Sequence, residues 1–177
     1  RLYDPSSSIT IETTAPPPLL LEQTLGGTDE TFSDVNRVGQ QFVTGSSLIG
    51  ETITKVLVRL KIKTGSPTGT ITCTVRDSAD TIKLTLGTST ATSLTGSLQD
   101  VEYENLTGVT IADQDKVCIE YPMSLTNNIS VEVHNSDVLA DSTEWYYTSS
   151  WNQRLTYDMY FKYYGVVSFS GTVLASL

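Results

Sequence analysis

Residues 51–77, ETITKVLVRLKIKTGSPTGTITCTVRD, decide the class of fold. In the first half Val56, Val58, Leu60 and Ile62 alternate with Leu57, Arg59, Lys61 and Lys63; in the second, Ile71, Cys73 and Val75 alternate with Thr72, Thr74 and Arg76. An extended chain points successive side chains to opposite faces, so each half reads as a strand with one buried face. Between them lies Gly65-Ser-Pro-Thr-Gly69, where Pro67 fixes φ and the glycines accept positive φ. The stretch is expected to form two antiparallel strands joined by this turn.

The same alternation recurs from residue 38 onward at the spacing of a sandwich. Strands are predicted over residues 39–43, 51–63, 69–76, 81–86, 98–104, 116–121, 129–134, 145–147 and 157–164. Ile82, Leu84 and Leu86 give one inward row, Val117, Ile119 and Tyr121 another, and Ile129, Val131 and Val133 a third. No stretch of ten or more residues shows helical periodicity. The expected fold is all-β, an antiparallel two-sheet jelly-roll β-sandwich over residues 36–177 with an extended N-terminal arm over residues 1–35.

The arm differs from the rest. Ser8-Ile9-Thr10-Ile11-Glu12-Thr13 alternates like a strand and is cut off by Pro16-Pro17-Pro18, which is extended and cannot donate to a ladder. Ile9, Ile11 and Thr13 are the candidate donor-strand residues. Leu19, Leu20 and Leu21 follow, and so many apolar residues imply that the arm docks on a surface. The C-terminal run from Val166 to Leu177 is again apolar and strand-like, and suits either a last strand of the sandwich or a contact with another subunit.

With 177 residues the chain suffices for one sandwich core. A formal net charge of −9 argues against nucleic acid or an anionic membrane surface as partner. No apolar run approaches the roughly 20 residues of a membrane span, so no membrane insertion is expected. The chain begins at Arg1 rather than Met, as expected after signal-peptide removal or excision from a longer chain. An extracellular, cell-surface location follows, with Asn105-Leu-Thr and Asn128-Ile-Ser as candidate glycosylation sites. Cys73 and Cys118 are the two cysteines, either bridged or two separate small residues.

Motifs for catalysis are lacking. His134 is the single histidine and has no nucleophile motif beside it, so the chain is not expected to be an enzyme. No cofactor is required on this reading. Calcium is the one candidate ion: Asp137 with Asp141, Asp77 with Asp80, and Asp113 with Asp115 each place two hard oxygen donors close together, although Asp also favours ordinary turns. Trp145, Tyr147 and Trp151 open the aromatic-rich stretch that runs to Tyr164. They are candidates for stacking on a sugar ring or packing over a loop, with Trp151 placed in a predicted loop. Lys55, Arg59, Lys61 and Lys63 form a basic stripe and Asp100, Glu102 and Glu104 an acidic one; the two could orient copies of the chain or stay solvated.

These residues resemble the extracellular jelly-roll modules of archaeal and bacterial surface proteins and of glycan-degrading systems. The resemblance rests on Gly39-Gln-Gln-Phe-Val-Thr-Gly-Ser-Ser-Leu-Ile-Gly, Gly65-Ser-Pro-Thr-Gly-Thr-Ile-Thr, Val109-Thr-Ile-Ala-Asp-Gln-Asp-Lys-Val-Cys-Ile-Glu-Tyr and Tyr146-Tyr-Thr-Ser-Ser-Trp, and covers about residues 38–165. It implies sugar binding or surface architecture. The strand-bearing arm is similar in architecture to subunits of archaeal filaments and pili that donate a strand to a neighbour. The leading expectation is therefore a secreted structural subunit that assembles with copies of itself. The alternatives are a carbohydrate-binding module that takes glycans and a viral fibre or capsid jelly roll.

Overall fold

The computed structural model describes residues 16–122 and 124–166. Thirteen strands and one 3-10 turn make up two antiparallel sheets. The strands are β1 (Leu19–Gln23), β2 (Thr28–Thr31), β3 (Arg37–Phe42), β4 (Thr52–Thr64), β5 (Thr70–Arg76), β6 (Ile82–Thr90), β7 (Gln99–Thr110), β8 (Lys116–Glu120), β9 (Asn128–His134), β10 (Ser142–Tyr147), β11 (Trp151–Arg154), β12 (Asp158–Met159) and β13 (Phe161–Gly165). The six-stranded sheet runs β11-β10-β3-β8-β5-β6. In the seven-stranded sheet the order is β1-β13-β4-β9-β12, with β7 also on β4 and β2 also on β9. The chain is an all-β sandwich.

Both halves of residues 51–77 are strands, and Val56, Val58, Leu60, Ile71, Cys73 and Val75 are all buried. They are not a hairpin. β4 lies in the seven-stranded sheet and β5 in the six-stranded one, so Gly65-Ser-Pro-Thr-Gly69 is a corner that carries the chain between layers. Alternation reports which face is buried and is silent on the partner strand. Gly65, at φ 66°, is held there: a Cβ would stand 2.2 Å from the carbonyl oxygen of Thr126. Ser66 N–H donates to Asn127 Oδ1 at 2.9 Å.

The predicted arm shrinks. β1 and β2 belong to the seven-stranded sheet, and Phe32 and Val35 are in the core, so the sandwich already includes residues 19–35. Leu21 pairs with Tyr163 and Glu22 with Lys162, which is where the leucines dock. Ile9, Ile11 and Thr13 lie outside the described residues, as does nearly all of the C-terminal run. Of the predicted rows, those of β8 and β9 face the core, whereas on β6 only Leu86 is fully buried and Ile82 is exposed. Bulges opposite Cys73/Thr74 and Val75/Arg76 shift the phase of that edge strand.

The core is aromatic where β13 crosses β3. Phe42 meets Phe161 and Tyr163 edge to face at centroid distances of 6.1 and 5.4 Å. Outside, Tyr160 and Tyr164 lie beneath Arg59 and Lys55 at 4.4 and 5.5 Å. The two charge stripes meet within the chain: Lys55 reaches Glu102 at 2.7 Å and Arg59 reaches Asp100 at 2.8 Å, because β4 and β7 are neighbours. These two pairs form a cross-strand ladder, while Lys61 and Lys63 reach Asp29 on β2 at 2.7 and 3.2 Å.

Candidate functional site

The outward face of the six-stranded sheet carries the aromatic candidates. Strand register lines up Trp151, Tyr147, Arg37, Glu120 and Thr72 in one row across five strands, and Gln153, Trp145, Gly39, Cys118 and Thr74 in the next. Trp151 opens β11, which pairs with β10 across a short turn, so it is a strand residue and not a loop residue. Trp145, Tyr147 and Trp151 are thus brought to one surface. Each is half-buried.

Their rings hold the chain's own cations. The Arg37 guanidinium lies 4.3 Å from the centre of Tyr147 and 6.0 Å from that of Trp151, while the Lys116 ammonium lies 5.3 Å from Trp145 and 5.5 Å from Trp151. Tyr147 and Trp151 meet at an interplanar angle of 72°, which does not give a common plane for a sugar ring. Both indole N–H groups are buried, and that of Trp145 has no hydrogen-bond partner. Arg37 also bonds Asp80 at 2.8 Å. Burial raises the Asp80 pKa, but the nearby Trp151 indole and the guanidinium groups of Arg37 and Arg76 outweigh it and hold the carboxyl below its ordinary range.

Beside this row a groove of about 330 Å³ is lined by Asn36, Arg37, Thr70, Thr72, Glu120 and Tyr121. Asn36 Oδ1 is buried there without a partner. Arg37 and the threonine hydroxyls supply donors, and Glu120 and Asn36 acceptors.

The two cysteines are free and fully buried. Cys73 pairs with Ile119 and Cys118 with Thr74, so their side chains leave opposite faces of the sheet and no bridge can form between them. Burial pushes both thiols well up, which makes them inert. Gly39 gives Cys118 its room: a Cβ at that position would stand 2.7 Å from the sulfur. Gly39→Ala is expected to lower stability by about 1–3 kcal/mol. Adding Cys118→Ala should recover most of that loss in urea denaturation; strictly additive losses would place the cause elsewhere.

Asn128 is 2% exposed and its Nδ2 donates to Ser124 O at 2.8 Å, so the folded chain cannot present it to a glycosylating enzyme. Asn105 is half-buried on β7 with Nδ2 donating to Thr85 O at 2.9 Å. Asp137 and Asp141 do line one cavity of about 240 Å³, with Ser142 and Thr143. Asp141, at φ 65°, accepts the Val43 N–H through its carbonyl. The other pairs act in turns and ion pairs: Asp77 accepts two backbone N–H groups, Asp113 caps Thr44, and Asp115 binds Lys83. Among the described residues, no group of three or more His, Cys, Asp or Glu side chains is placed to hold a metal ion.

The sandwich also buries an acidic cluster that sequence reading missed. Glu30 on β2, Glu144 on β10 and Asp158 on β12 are at most 6% exposed. Asp158 is well served: Gln40 Nε2 donates at 2.6 Å, and the N–H groups of Val138 and Leu139 donate at 2.9 and 3.0 Å. It thereby fastens the loop before β10 and ties the two sheets through Gln40. Arg154 on β11 pairs with Glu30. Glu144 accepts no hydrogen bond at either oxygen, and burial, reinforced by the Glu30 and Asp158 charges and only partly offset by Arg154, raises its pKa to about 8. Alternation along Ser142-Thr-Glu-Trp-Tyr-Tyr147 allowed either face to be the inner one. On β10 the buried Ser142 and Glu144 take the inner face, and the half-buried Trp145 and Tyr147 take the outer one.

No family model, curated protein or solved structure matches the chain. Among the described residues no helix is long and apolar enough to cross a membrane.

Proposed function

We infer that the chain is a non-enzymatic structural subunit of an extracellular filament or surface lattice, assembled by donation of its N-terminal arm to a neighbouring copy. One observation carries this reading. The proline run leads directly into β1, an edge strand with β13 on one side and no described strand on the other, so the arm leaves the body from an open sheet edge. An edge of this kind invites strand addition. Pro18 O accepts the Gly165 N–H at 2.9 Å, so Pro18 is already tied to the body. Deleting residues 1–15 is therefore expected to leave a folded sandwich and convert polymers to monomers by light scattering. A deletion variant that still polymerises would sink the reading.

The polar groove beside Trp151 favours a second reading, a module that binds glycans, since its volume reaches the scale of small-ligand sites. Trp151→Ala should abolish glycan-array binding on that reading. On the structural reading the change costs only packing and frees the cations of Arg37 and Lys116.

A further inference from the structure

Pro17, Thr54, Leu106, Gly165 and Val166 line a groove of about 220 Å³ at one end of the seven-stranded sheet. Leu106 is 80% exposed and Val166 45%. That volume falls below the roughly 300–1,000 Å³ of small-molecule sites and suits the side chains of an apolar segment. Both strand-forming segments outside the described residues join the body here, the arm at Pro17 and the C-terminal run at Val166. β13 is flanked by β1 on one side and β4 on the other. The three prolines favour extended backbone. An extended chain would carry Ile9 roughly 25 Å from its own groove, at about 3.1–3.3 Å per residue.

We propose that this groove is the acceptor for Ile9 and Ile11 of a second copy's arm. The inference rests on the reading of the arm as donor and adds the surface that receives it. Alternation puts the two isoleucines on one face about 7 Å apart, against Leu106 and Val166, with Ser8, Thr10 and Glu12 turned to solvent. Because Leu106 is a surface residue, Leu106→Asp changes the acceptor and leaves both the fold and the arm intact.

The test compares the full chain, Leu106→Asp and the deletion of residues 1–15 by light scattering, and follows maleimide labelling of Leu106→Cys, whose signal is clean because Cys73 and Cys118 are buried. Loss of polymers in both variants, with Leu106→Cys protected in polymers and reactive once the arm is removed, is the expected result. Polymers that persist in Leu106→Asp but vanish on deletion would overturn the groove assignment and leave the donor reading standing. Polymers that persist in both would overturn the two together. A monomeric full chain whose Leu106→Cys becomes reactive only after removal of residues 167–177 would assign the groove to the chain's own C-terminal run and overturn the proposal.

Discussion

Glu144→Gln is expected to raise stability at pH 9 by roughly 4–5 kcal/mol and to leave it nearly unchanged at pH 4. Glu144 is fully buried, its oxygens accept nothing, and the groups facing it are Glu30 from β2, Asp158 from β12 and the single cation Arg154 from β11. The carboxyl is therefore neutral in the folded chain up to about pH 8, whereas an unfolded chain ionises it near 4.5. Between those values the folded state holds a proton that the unfolded state has lost. The stability that this proton gives is complete below pH 4.5 and falls as pH rises through 8, by about 1.4 kcal/mol per pH unit. Gln mimics the neutral acid at every pH, so its advantage appears only on the alkaline side. At roughly 2–4 °C per kcal/mol for a chain of this size, the melting temperature at pH 9 should rise by about 10 °C. Calorimetry at pH 4, 7 and 9 decides the matter, and parallel profiles for the two proteins would show that Glu144 does not titrate in this range. Glu30 and Asp158, also raised chiefly by burial, add to the slope in the same direction.

Arg154→Ala should produce a loss of about 3 kcal/mol at pH 8. Removing one member of a buried pair leaves its partner charged and unpaired, a change that typically costs roughly 3–5 kcal/mol. The lower end applies because the Arg154 side chain is 32% exposed against 8% for Glu30. The guanidinium also stands 4.5 Å from the Tyr146 ring and 5.3 Å from that of Tyr157, so packing is lost with the charge. Near pH 5 the loss should shrink as the carboxyls take up protons. Glu30→Gln in the Arg154→Ala background should recover part of it at pH 8. Equal losses at both pH values would mean that Arg154 acts by packing alone.

Strand content was legible because burial of one face leaves period two in the sequence, and most inward rows read from it are inward in the sandwich. Partners were not legible. The same alternation that located residues 51–63 and 69–76 could not say that a corner separates them, since Gly and Pro serve a hairpin and a crossover equally well. The basic and acidic stripes were visible, but only the strand order reveals that Lys55 and Arg59 pair with Glu102 and Asp100 on β7 while Lys61 and Lys63 pair with Asp29 on β2. At the site, the grouping of Trp145, Tyr147 and Trp151 was foreseeable, while Arg37 and Lys116 reach them from strands about 110 and 30 residues away in the chain. The buried acids left no signal, because a carboxylate in an alternating strand is ordinarily its solvent face.

The pairing of β1 with β13 has a kinetic consequence. Leu19 meets Tyr164 across almost the whole length of the body, so this contact closes one of the longest loops the chain can make. Contacts of such sequence separation are slow to form and come after the local ones. The edge from which the arm departs therefore exists only once β13 is in place. Under the assembly proposed above, topology alone would disfavour premature polymerisation of half-folded chains, and a variant that loosens β13 should delay the onset of assembly as well as lower stability.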